Sequence, residues 1–144
     1  MKCSDFVKIL FGAGLGLLVS MWQAWRTAVK ERKRAEKLLA LEFPAIQKAV
    51  DALYNALYEK KFISTTELPS FTFLGSSELI ALPSFIAIHV WQLRDALIRA
   101  EMSRKIAAEF LGNQASPLFA IHCLLYTDYM DIAKKAIDEI CKNL

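Results

Sequence analysis

The longest apolar stretch of the chain, Phe6 to Trp25 (FVKILFGAGLGLLVSMWQAW), has its last charge at Lys8 and none from Ile9 through Trp25. That leaves about seventeen uncharged positions, the short end of what a helix needs to cross a bilayer core of about 30 Å. The stretch predicts a membrane helix. Within it Gly12, Gly16, Ser20 and Ala24 fall four apart. In a helix they form one slowly twisting strip on which another backbone can approach closely, so the strip predicts a helix–helix seam.

Beyond the apolar run the pattern changes period and sign. Arg26 to Glu42 is filled with Ala, Leu, Lys, Arg and Glu, with no Gly or Pro. These are good helix formers, so the membrane helix is expected to continue into a juxtamembrane helix. Pro44 lacks an amide hydrogen and disfavours helical geometry at Phe43, which predicts a kink or break there. A second helix is then expected from Pro44 to Lys61, with Ile46, Val50, Leu53 and Leu57 as its buried seam. Residues 62–76 turn to Ser, Thr and Phe with Pro69 and Gly75, and read as a loop that tucks Phe71 and Phe73 onto the bundle. The tetrapeptide Leu-Pro-Ser-Phe occurs at 68–71 and again at 82–85, and in so Ser/Pro/Phe-rich a region it is read as a chance recurrence.

Two long helices complete the chain. Pro83 suits a helix start and Gly112 a stop, and between them Ile86, Val90, Leu93, Leu97, Ile106 and Phe110 lie on one side. Ser116 and Pro117 then supply an N-cap and first-turn proline. The helix they start carries Leu118, Ile121, Leu125, Tyr129, Ile132, Ala136 and Ile140 at alternating spacings of three and four. The short turn between the two predicts an antiparallel hairpin. The fold class expected is all-α: a single N-terminal transmembrane helix continuing into a cytoplasmic bundle of about four helices, the juxtamembrane extension included. The domain division is 1–25 for the tail and membrane helix, 26–43 for the basic juxtamembrane helix and 44–144 for the bundle.

Charge refines this picture. The net charge is +3, but residues 26–37 alone carry a net +4, from Arg26, Lys30, Arg32, Lys33, Arg34 and Lys37 against Glu31 and Glu36, while residues 38–144 sum to −2. The excess of cations after the membrane helix places residues 26–144 in the cytoplasm by the positive-inside rule, with the N-terminus out and the host membrane the inner (plasma) membrane. A cleaved signal peptide would need a small-x-small pair before the cut, and Ser20-Met21-Trp22-Gln23-Ala24-Trp25 offers none. Trp22 and Trp25 stand where indole rings collect at the headgroup level. They and Arg26, Lys30, Arg32, Lys33 and Arg34 form the expected interface with anionic lipid. A faintly acidic body excludes a nucleic-acid surface, which needs a clustered positive face.

No motif fixes a reaction. The three cysteines, Cys3, Cys123 and Cys141, are too few and too scattered for a disulfide framework, and eighteen residues of helix separate the last two by about 27 Å. His122 and Cys123 are adjacent on a helix and point about 100° apart, so they are no base–nucleophile pair. His89 is a lone histidine. Asp128 and Asp131 with Lys134, Lys135, Asp138 and Glu139 read as a solvated face of ion pairs. No metal spacing is present, and the Gly12–Gly16 run lacks the lysine of a phosphate loop. No catalytic residue, cofactor or metal is expected. The reading is a self-associating, membrane-anchored assembly or docking protein, homo-oligomeric and with an unidentified protein partner possible. An oligomeric pore-forming or membrane-perturbing effector controlled by a partner is the alternative, and an enzyme with an unrecognised helical active site the second.

Overall fold

The computed structural model describes residues 3–59 and 66–144. Four helices account for nearly all of them: α1 (Cys3–Tyr58), α2 (Ser76–Ala81), α3 (Ser84–Glu109) and α4 (Pro117–Asn143), with no strand among the described residues. The all-helical class stands, but these are not the four helices expected. The juxtamembrane helix and the helix foreseen after Pro44 are one element, because α1 runs unbroken for 56 residues with Pro44 inside it. At 1.5 Å per residue that rod is about 84 Å long. The last residues foreseen for the second helix, Lys60 and Lys61, lie outside the described residues.

Packing explains the continuity through Pro44. The buried positions Ala35, Leu39, Phe43, Ile46 and Val50 lie on one stripe, three before the proline and two after it. A break at Phe43 would pull one half of that stripe out of the core. Pro44 itself and Ala40, whose carbonyl loses its amide partner, are both exposed, so water can take that carbonyl.

The core lies where α1 crosses the α3–α4 hairpin. From α3 come Ile86, Val90, Leu93, Leu97 and the small Ala96 and Ala100, and from α4 come Tyr126, Met130, Ala133, Ala136, Ile137 and Ile140. Alanines at facing positions let the two hairpin helices approach closely. The buried face of α4 agrees with that expected at Ala136 and Ile140 and departs from it over the earlier turns. Phe119, Tyr126, Met130, Ala133 and Ile137 point inward, while Leu118, Ile121 and Ile132 are 45–49% exposed. Helix α4 is apolar on more than one stripe, so periodicity alone did not choose between them.

Residues 66–75 and α2 form a strap that returns along α1. Of the aromatic pair expected to tuck in, Phe71 packs against the core, Phe73 is exposed, and Leu74 is the buried residue between strap and core. The Glu42 carboxylate holds the strap from below, accepting the amide hydrogens of Thr72 at 3.0 Å and Leu74 at 3.3 Å, with that of Phe73 between them. Higher up, Glu101 accepts the Leu68 amide at 3.2 Å and is bound by the buried Arg104 through two nitrogens at 2.6 and 2.8 Å. That guanidinium holds the Glu101 carboxyl below the ordinary carboxylate range. Two acidic side chains on two different helices therefore fix a segment with little regular structure of its own.

Candidate functional site

The candidate surface is the N-terminal third of α1 and the end of the body nearest it. Every residue from Val7 to Ala28 is exposed, and from Val7 onward the first buried position is Ala35. Leu, Ile, Val, Phe, Met and Trp side chains thus stand uncovered around the whole helix, a face far larger than the few hundred Å² a soluble monomer usually shows. Among the described residues this is the one helix long and apolar enough to cross a membrane.

The local chemistry suits an apolar surrounding. The Ser20 hydroxyl donates to the Leu17 carbonyl at 2.9 Å, and the Thr27 hydroxyl to that of Gln23 at 3.0 Å. Both satisfy within the helix a donor that hydrocarbon could not. No atom outside the neighbouring chain lies within 4 Å of where a Cβ would stand on Gly12 or Gly16. Ser20 and Ala24 are exposed as well, so the whole strip is open. At about 100° per residue, Gly12 and Gly16 lie roughly opposite the stripe of Leu39, Phe43 and Ile46 that faces the core. A second rod could approach there without meeting the body of the first.

At the polar end of the run the guanidinium of Arg26 sits over the Trp22 ring, 4.7 Å from its centroid. This pair gives the cation an apolar seat beside the expected headgroup level. Trp25, Lys30 and Lys33 are exposed, and Arg32 pairs with Glu36 at 2.9 Å. Arg34 reaches the body: it shares a groove with Glu31, Ser77, Glu78 and Ala81. Its charge helps to lower the Glu78 pKa, after the larger effects of the Ser77 hydroxyl and the backbone amides. The body therefore begins almost where the apolar run ends, and Val29 is already half-buried.

The other residues singled out in the sequence do not come together. His89 lies within 3.2 Å of Gln92 through Nδ1, and the buried Nδ1 of His122 has no hydrogen-bond partner. Burial pushes the Cys123 thiol up, away from the reactive thiolate form. Cys141 is exposed. No group of three His, Cys, Asp or Glu side chains able to hold a metal occurs among the described residues. On α4, Lys134 pairs with Asp138 at 3.2 Å as the spacing suggests, and also with Asp51 of α1 at 2.8 Å. That second bridge and the Glu42 and Glu101 clamps span long stretches of sequence and left no local signal.

Comparison with protein-family models, with curated proteins and with solved structures gives no match for this chain.

Proposed function

We propose that this chain is a single-pass membrane protein, N-terminus out, whose helical body is an assembly or docking module gathered through its membrane helix. The observation that carries this reading is the continuity of α1: one helix supplies both the uncovered apolar run and the buried stripe Ala35 to Val50. A span joined to its body without a linker cannot turn or associate independently of it. Bringing two spans together therefore brings two bodies into a defined relation, as a scaffold requires. The open strip of Gly12, Gly16, Ser20 and Ala24 is the face suited to that approach. The exposed cations of residues 26–33 suit anionic headgroups, at about 1 kcal/mol each near the surface.

The test is a membrane self-association reporter carrying the Gly12→Ile/Gly16→Ile pair, run beside alkaline extraction of the full chain from membranes. Both glycines face open space, so the substitutions leave the single chain undisturbed and a change reports on association. Loss of the signal with retention in the membrane is expected. Unchanged association removes the seam, and release by alkali removes the anchor.

A further inference from the structure

The part of the strap that precedes the Glu42 clamp does not lie flush on α3. Residues Leu68 to Phe71 and one edge of α3 enclose a cleft of about 440 Å³, within the range of about 300–1,000 Å³ usual for small-molecule sites. Leu68 and Phe71 pack against the core and Leu97 beneath them is buried, whereas Ile98 and Met102 line the cleft with much of their side chains uncovered. The strap wall is tied at both ends, the Leu68 amide to Glu101 at 3.2 Å and the Thr72 amide to Glu42 at 3.0 Å. It is therefore held in place and does not close onto α3. Arg94, Ile98 and Met102 follow one another at a spacing of four, so the cleft is a trough about 12 Å long on one edge of the helix.

One charge in this trough is uncommitted. Arg94 stands at its end, half-buried, with no hydrogen bond or ion pair to any described residue. The acids around it are engaged elsewhere: Asp95 binds Arg99 at 2.8 Å, and Arg104 binds both oxygens of Glu101. The charge of Glu67 acts on Arg104, after the larger effect of Glu101. Arg94 also lines an adjoining hollow of about 370 Å³ with Leu79, Ile80 and Trp91. The guanidinium thus lies between two apolar hollows, where a paired anion is partly withdrawn from water and held more strongly than on an open surface. Its planar fork matches a carboxylate through two parallel hydrogen bonds.

We infer that the trough between strap and α3 is a binding site for a fatty carboxylate, with the carboxylate on Arg94 and the alkyl tail along Ile98, Phe71 and Met102. An unpaired guanidinium at the end of an apolar trough selects a ligand with one anionic head and a hydrocarbon body. A peptide fits less well, because most of the trough offers nothing to a polar backbone. Pro69 has no amide hydrogen, the Leu68 amide is spent on Glu101, and the amides of α3 are spent within the helix. The far end of the trough turns polar at Glu101 and Lys105, which are 3.7 Å apart. Lys105 lies eleven residues beyond Arg94, a rise of about 16 Å, so the tail that fits is of medium length. This site is separate from the membrane helix and does not depend on how the chains associate.

The experiment uses the full chain in phosphatidylcholine nanodiscs and a medium-chain fatty acid that carries a photoreactive diazirine near the end of its tail. After irradiation the modified residues are mapped by mass spectrometry, which separates label in the trough from label dissolved in the lipid around α1. Adducts are expected on residues 67–71 and 97–102. Excess decanoate should displace them and decanol, which has the tail without the charge, should not. Arg94→Gln should lower the labelling about tenfold, as the loss of a charge-assisted hydrogen bond implies. Arg99→Gln, on the same helix but outside the trough, should leave it unchanged. Ile98→Glu sets a carboxylate in the path of the tail at a position 51% exposed, where the core is undisturbed, and should abolish the labelling. Adducts confined to α1, equal displacement by decanol, or labelling indifferent to both Arg94→Gln and Ile98→Glu overturns the inference.

Discussion

Asp51 of α1 and Lys134 of α4 lie 2.8 Å apart, a bridge between helices whose residues are 83 positions apart in sequence. Lys134 also meets Asp138 at 3.2 Å, so one ammonium ties the long rod to the hairpin and to its own helix. The Asp51 hydrogen bond is the largest cause of the raised Lys134 pKa.

Asp51→Asn is expected to cost about 0.5–1 kcal/mol, because both side chains are about one-third exposed and solvent screens the pair. The pH dependence follows from the direction of the shift. A raised lysine pKa stabilises the fold fully below the unfolded value, about 10.4, and the contribution is lost as pH rises through the folded value. Denaturant melts of wild type and Asp51→Asn should therefore differ at neutral pH and converge above about pH 10.4. A gap that persists at high pH would mean that the carboxylate acts through something other than Lys134.

Glu42 accepts the amides of three consecutive strap residues, Thr72, Phe73 and Leu74. Replacing it with Ala leaves all three without that acceptor, and the amide of buried Leu74 is the hardest for water to reach. The expected cost is about 1–3 kcal/mol. The sharper readout is hydrogen exchange: the amides of residues 72–74 should lose protection while those of the α3–α4 hairpin keep theirs. Global loss of protection would make the strap part of the cooperative core instead of a clamped segment.

Ile132 and Ile137 separate the face of α4 expected from its sequence from the face it buries. Ile132 is 45% exposed and Ile137 fully buried. Ile137→Ala should cost about 2–5 kcal/mol, whereas Ile132→Ser should stay within about 0.5 kcal/mol. Equal losses in chemical denaturation would show that the outer stripe is covered in solution.

The same two residues mark how far the sequence could be read. Helix starts and stops at Pro83, Ser116 and Pro117 depend on local chemistry, and α3 and α4 begin where those residues put them. The apolar run and its basic flank are contiguous, so composition alone exposes them. Which stripe of α4 turns inward depends on what faces it, and two stripes satisfied the same period. The Glu42 and Glu101 clamps join residues some thirty apart, beyond the reach of any periodicity.

Pro44 tests whether the rod's continuity is imposed by packing. A proline inside a helix costs about 3 kcal/mol relative to alanine, through a missing hydrogen bond and a ring clash with the preceding turn. Phe43 and Ile46 are both buried on either side of it, so the core holds the helix together at that cost. Pro44→Ala restores the amide that can bond to the Ala40 carbonyl and removes the clash, and Pro44 is exposed, so no packing is lost. Stability should rise by about 1–3 kcal/mol, tempered by the greater freedom of the unfolded chain. The complementary variant, Phe43→Ala, removes a core anchor beside the proline. It should cost about 3–5 kcal/mol with Pro44 present, and less in the Pro44→Ala background, where the helix can hold itself. Additive effects in this double-mutant cycle would mean that α1 stays straight without help from its core stripe, and that the rigid coupling of span to body is a property of the helix alone.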